Sequence, residues 1–175
     1  MITILADKTV SGMGQELFDT IVKTNGDTRY FNLAGMKIEP CYACRGCEEK
    51  TYGRCVIRDD ADIILPSLCR SDTIIVFTPI VYGAYSFQVK RAVDKFPLIL
   101  DRHYYYRHGE LVKGNIREVK YYAIGIHDEK DMEEIQIWRQ FVLETIRIAS
   151  WEGKPIVLPY DTDIYNSLIK EITKI

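Results

Sequence analysis

The stretch Thr73-Ile-Ile-Val-Phe-Thr-Pro-Ile-Val-Tyr-Gly-Ala-Tyr-Ser-Phe-Gln-Val-Lys-Arg-Ala-Val-Asp94 decides how this chain is read. It opens on β-branched and aromatic residues, the composition of a strand buried in a parallel sheet. The run meets Pro79, turns through Tyr82-Gly83 and restarts as a helix near Ser86. A strand-to-helix corner of this kind lies at the carboxyl end of a sheet, where open α/β folds take their ligands. Gly83 lets backbone amides approach a ligand closely, and the residues around it offer a flat apolar surface and an aromatic ring. Those properties suit a large planar heterocycle with polar edges, and flavin is the first candidate.

Outward from that corner, strands are expected at 2–6, 28–33, 73–78, 119–126 and 156–158. A helix is expected at about 15–23 with Leu17, Ile21 and Val22 inside, stopped by Asn25-Gly26. Ile63, Ile64, Leu65 and Leu68 mark a second, with Asp59-Asp60 at its positive end and a kink at Pro66. Further helices are expected at about 86–97, at 131–150 with the stripe Ile135, Trp138, Val142, Ile146 and Ala149, and from near Asp163. Strands alternating with helices imply a parallel sheet covered on both faces by right-handed crossovers. The expected fold is an α/β, flavodoxin-like three-layer sandwich with a five-stranded parallel sheet in the order 2-1-3-4-5, one domain spanning 1–175.

Composition narrows the classes. A net charge of -2 gives no general pull toward nucleic acid or anionic membrane. No run of about 18 apolar residues spans a bilayer, and Asp7 and Lys8 interrupt any leader-like start. A cytoplasmic protein is expected, with cysteines acting as thiols, metal ligands or catalytic groups rather than structural disulfides. Four of the five cysteines, Cys41, Cys44, Cys47 and Cys55, fall within fifteen residues as C-x2-C-x2-C-x7-C. That density points to redox chemistry or metal binding. Cys69, on the second helix, reads as a small buried apolar residue.

The loop Asp7-Lys-Thr-Val-Ser-Gly-Met-Gly14 opens a helix after the first strand. Amides at a helix start attract phosphate, and Thr9 and Ser11 add hydroxyl donors, so Lys8, Thr9, Ser11, Gly12, Met13 and Gly14 are candidate phosphate contacts. Asp7 is unfavourable beside a phosphate unless Lys8 offsets it. A plain turn with a helix cap is the alternative.

The corner resembles the flavin loop of the flavodoxin-like, NADPH-dependent FMN reductase family, through Thr78, Pro79, Ile80, Val81, Tyr82, Gly83, Ser86, Lys90 and Asp94, with Lys95 where an Arg is usual. The resemblance implies backbone hydrogen bonds to the isoalloxazine edge, and it adds Gly125 and His127, at the end of the fourth strand, as residues flanking the flavin. The blander reading of His127 is a partly exposed loop histidine. The first loop departs from the family pattern, since Asp7 stands where a hydroxyl residue is usual and the Asn-Thr pair is missing.

The cysteine pattern resembles that of the iron-sulfur flavoproteins, a branch of the same family. Three thiolates spaced by two residues can wrap one face of a 4Fe-4S cluster and a fourth can close it, whereas zinc usually prefers two separated pairs. Free thiols are the other reading. His103-Tyr-Tyr-Tyr-Arg-His108 resembles a segment that in those proteins meets a neighbouring subunit or covers the flavin; a solvated hairpin is the alternative. A receiver domain is set aside because Asp7 stands alone after the first strand, and a dinucleotide-binding domain because Gly12-Met-Gly14 is only part of its glycine pattern.

The resemblance implies an FMN-dependent oxidoreductase, a homodimer or homotetramer, passing electrons from NAD(P)H to a quinone, flavin or similar small acceptor. The alternatives are a non-enzymatic electron carrier, and a redox-sensing or metal-stabilised binding module without flavin.

Overall fold

The computed structural model describes residues 1–24, 26–114, 117–127 and 131–160. Asn25, Asp128 and the helix expected from Asp163 lie outside the described residues. The strands are β1 (Ile2–Ala6), β2 (Thr28–Asn32), β3 (Thr73–Pro79), β4 (Tyr104–Arg107), β5 (Glu110–Lys113), β6 (Lys120–Ile126) and β7 (Glu152–Leu158). The helices are α1 (Ser11–Thr24), the short α2 (Gly46–Glu49), α3 (Ala61–Arg70), α4 (Phe87–Val93) and α5 (Met132–Ile148). Five strands form a parallel sheet in the order β2-β1-β3-β6-β7, while β4 and β5 pair antiparallel by themselves. Counted along the sheet strands alone, this is the flavodoxin-like order 2-1-3-4-5.

The period-2 alternation of β3 divides the core. Ile74 and Val76 point to the side where Leu65, Val89, Trp138 and Val142 pack. Ile75 and Phe77 point to the opposite side, against Val10, Leu17 and Ile21. All five residues of the α5 stripe are buried. Asp131 caps α5 by accepting from the N–H groups of Glu133 and Glu134 at 3.0 Å each. Among the described residues, no helix is long and apolar enough to cross a membrane.

Several boundaries differ from expectation, each for a local reason. Helix α1 begins at Ser11, so Gly12 and Gly14 are helical rather than loop residues; a Cβ on Gly14 would sit 2.9 Å from the Ala6 Cβ and 3.1 Å from the Tyr30 ring. Val22 faces outward, and Met13 and Phe18 pack in its stead. Helix α4 ends at Val93 and a tighter 3-10 turn, Phe96–Ile99, follows. Strand β7 begins at Glu152, through Pro155, because it is the sheet's edge strand and an edge tolerates a missing N–H. Cys69 is exposed, since Leu68 takes the core position beside it.

Candidate functional site

Strands β1, β3 and β6 lie side by side, and their carboxyl ends bring three loops to one rim. The loop after β3 is the tightest. Ile80 N–H donates to Ile126 C=O at 3.0 Å, tying it to β6, and Val81 and Ala84 exchange two hydrogen bonds across Tyr82-Gly83. Both turn residues have positive φ, 51° and 69°. For tyrosine that conformation is strained, and such strain clusters at ligand sites. The Tyr82 ring is 94% exposed, with Val81, Phe87, Met132 and Ile137 exposed as well. Of these, Val81, Tyr82 and Ile137 lie together at one cleft, and clustered exposed apolar side chains often mark a place covered by a ligand or partner. A shallow cleft of about 500 Å³ lies between Ile80, Val81, Tyr82, Gly83 and the first turns of α5 at Glu134 and Ile137.

His127 directly follows β6 and is buried rather than partly exposed. Its Nε2 lies 3.1 Å from Glu134 Oε2, while Gly83 N–H donates to Glu134 Oε1 at 3.1 Å. One carboxylate thus braces the histidine and the turn together. Sequence reasoning missed Glu134; its signal was a carboxylate in the first turn of a helix whose N-terminus meets the same rim. Gly125 sits one layer below, where a Cβ would come within 2.8 Å of Ile80 and Trp138.

Below the turn, Thr78 and Ser86 are both buried. Ser86 N–H donates to Thr78 Oγ1 at 2.9 Å, and Ser86 Oγ caps α4 by accepting from Val89 N–H at 3.4 Å. These two side chains hold the corner's shape rather than face the cleft.

The loop after β1 holds a second departure. Asp7 is buried and accepts from Thr9 N–H and Thr9 Oγ1, each at 2.8 Å, and from Ser86 Oγ. The Thr9 hydroxyl expected to meet a phosphate is turned to Asp7 instead. Lys8 and Gly12 are exposed, and Met13 packs against the core.

Cys41, Cys44 and Cys55 sit on irregular chain and Cys47 in the short α2, on a segment tied to the α4 region. Arg91 Nη1 donates to Ile38 C=O at 3.2 Å, and Asp59 accepts from Glu39 N–H and from the Lys95 ammonium, which with Asp59 forms a buried ion pair. Cys41 and Cys44 are exposed; Cys47 and Cys55 are half-buried against the core. Burial, then the neighbouring Glu48 carboxylate, pushes the Cys47 thiol up. Among the described residues, no three His, Cys, Asp or Glu side chains converge as a metal site. The backbone is special here all the same: Ala43 and Arg45, on either side of Cys44, have φ of 51° and 56°. Alternating backbone of this sort turns amides into a concavity that suits anions and iron-sulfur clusters.

The segment from His103 to His108 supplies β4 and the start of the turn of the β4–β5 hairpin. Lys113 pairs with Glu48 of α2, and Glu110 with Arg147 near the end of α5. Glu134 and Arg147 are about 20 Å apart along a helix rising 1.5 Å per residue, so the hairpin lies away from the corner instead of over it.

The ring half of this rim fits a flavin: a braced turn, exposed apolar and aromatic surface, and a cleft beside it. The phosphate half departs, because a carboxylate of the chain takes donors there. For the cysteines, number and spacing fit a cluster while the thiols do not converge.

Comparison with known proteins agrees with this reading of the fold. The family model described as NADPH-dependent FMN reductase matches residues 6–113. An iron-sulfur flavoprotein of Methanocaldococcus jannaschii is 33% identical over 81 residues, 46% of this chain and 41% of that protein. The chain therefore matches less than half the length of that curated relative. Among solved structures, an azoreductase from Bacillus anthracis superposes with a TM-score of 0.64 at 10% identity, covering 99% of this chain and 94% of that one. An NAD(P)H:quinone oxidoreductase from Methanothermobacter marburgensis does so with a TM-score of 0.60 at 15% identity, covering 99% and 96%.

Proposed function

Because the chain belongs to the NADPH-dependent FMN reductase family, we propose that it is a flavin-dependent oxidoreductase that takes electrons from NAD(P)H and delivers them to a small acceptor such as a quinone or a free flavin. The observation that carries this reading is the Tyr82-Gly83 turn: strained backbone, an almost fully exposed ring, and a carboxylate brace at the carboxyl edge of the sheet. When bound, the flavin supplies two-electron acceptance and release. The chain's part is to bind and orient. Ile80 and Val81 give apolar cover, Glu134 fixes the Gly83 amide, and His127 holds Glu134 in place.

The test is to add FMN to purified protein and follow both binding and NAD(P)H oxidation with a quinone. Saturable binding with turnover supports the proposal, flavin binding without turnover makes the chain an electron carrier, and no binding by folded protein sinks the flavin reading. A 4Fe-4S cluster on Cys41, Cys44, Cys47 and Cys55 is part of the proposal, supported by their spacing and by the paired positive φ values around Cys44. Anaerobic reconstitution should then yield about four irons per chain, and Cys44→Ser should abolish it. Assembly as a homodimer or homotetramer is proposed from the resemblance alone.

Glu134→Ala removes the shared acceptor of Gly83 N–H and His127 Nε2. Flavin binding is expected to weaken about tenfold, equivalent to about 1.4 kcal/mol. The buried Gly83 N–H then loses its acceptor, which should cost about 1–2 kcal/mol of stability. Glu134→Gln keeps an oxygen for the Gly83 amide and should recover most of the binding; titration and urea melts on both variants check this.

A further inference from the structure

The turn after β1 already contains an anion of its own. Asp7 is 4% exposed, and all three of its recorded side-chain partners are donors: the amide and hydroxyl of Thr9 and the hydroxyl of Ser86. These groups, at the head of α1 and at the corner before α4, are the kind that grip a phosphate at such a rim. A phosphate monoester carries between one and two negative charges at neutral pH, and a carboxylate buried beside it repels it in surroundings less polarisable than water. Lys8 next to it is exposed, where water and salt screen its charge. A Cβ on Gly12 would meet nothing within 4 Å, so there is room for a ligand's tail over the first turn of α1. The tail meets open space over the first-turn amides of α1, and the Asp7 carboxylate, which has already taken the Thr9 and Ser86 donors, offsets what those amides would contribute.

We propose that Asp7 makes this site indifferent to the phosphate of its flavin, so that unphosphorylated riboflavin binds about as well as FMN. This rests on the flavin reading above. Riboflavin and FMN share the ring and the ribityl chain, and with them every contact at Tyr82-Gly83; they differ in the phosphate alone. The ratio of their affinities therefore reports on the β1–α1 turn and cancels the rest of the site.

The experiment is calorimetric titration of FMN and riboflavin into the wild-type chain and Asp7→Asn. The amide is isosteric: its oxygen still accepts from Thr9, its NH2 donates to Ser86 Oγ in place of accepting from it, and the charge is gone. Wild-type protein is expected to bind the two flavins within about threefold of each other, and Asp7→Asn to tighten FMN at least tenfold while riboflavin moves less than about threefold. Asp7→Ser, which also removes the charge, should shift the ratio in the same direction if the amide disturbs the turn. A wild-type preference for FMN of about a hundredfold, or a ratio unmoved in both variants, overturns the inference and leaves the flavin reading standing. If neither flavin binds the folded wild type or the folded variants, the flavin reading falls and takes the inference with it.

Discussion

Lys95→Met is expected to destabilise the chain by about 3–5 kcal/mol, because it leaves a buried carboxylate without its cation. Lys95 and Asp59 are both nearly inaccessible, and the pair joins the end of the α4 region to the segment between the cysteines and α3. Asp59 also accepts from the N–H groups of Glu39 and Ala61, at 2.8 and 2.9 Å. Burial by itself would raise the Asp59 carboxyl; the Lys95 ammonium and the two amides outweigh it and hold it below the usual carboxylate range. A group depressed in the folded state contributes its stability above its unfolded value, about pH 4, and loses it as pH falls through the folded value. In Lys95→Met the burial remains and the main opposing charge is gone, so acid unfolding should begin at higher pH than in the wild type. Asp59→Asn with Lys95→Met keeps an oxygen for one of the two amides and removes the orphaned charge, and should recover about half of the loss. Urea melts between pH 3 and 7 on the three proteins check this. Local opening of the same region should also speed the modification of half-buried Cys47 and Cys55 by a thiol reagent, and an unchanged rate would place the pair outside the unit that holds the cysteine segment.

That pair shows where sequence reading stops. Lys95 stood out only as a departure from the usual Arg, and nothing local names Asp59, thirty-six residues earlier, as its partner. The same holds for Asp7 with Ser86, seventy-nine residues apart, and for the bracing of Gly83 by Glu134. Strands β1, β3 and β6 were legible because an apolar run buried on both faces has few other uses, and α5 because its stripe keeps the helical period; β4 and β5, mostly exposed, carried no such signal. Local signals failed where a tertiary contact chose between two allowed structures. Gly12 and Gly14 read as loop, yet Gly14 is a helical residue with Ala6 and Tyr30 too close for a side chain. Gly153 and Pro155 read as the approach to a strand, yet an edge position let β7 run through them. The corner was visible as a place for a ligand; the carboxylates that tune it were not, because each acts on a residue that only folding brings near.

Gly83→Val is expected to abolish flavin binding while the sheet stays folded. Gly83 has φ of 69°, a region that costs a non-glycine residue about 1–2 kcal/mol and a β-branched one more. Its Cβ would also lie 2.5 Å from Ile137 Cγ2 and 3.0 Å from Ile137 Cβ. The methyl can turn away; the Cβ on the helix cannot, so the turn must move off α5. Moving it breaks the Gly83 N–H bond to Glu134 and carries Tyr82 with it, and a displacement of about 1 Å is enough to ruin a site that depends on aligned amides. The corner is a two-residue turn on the surface, and its loss leaves the core strands packed, so the stability cost should stay near 2–3 kcal/mol and the circular dichroism spectrum should keep its α/β form. Flavin affinity should fall at least a hundredfold, beyond the reach of an ordinary titration for a micromolar site. Gly83→Ala, with the same φ penalty and less bulk, should fall between the two. Wild-type flavin affinity in a folded Gly83→Val protein would mean that the ring sits elsewhere on the rim, and the strained turn would then need another purpose.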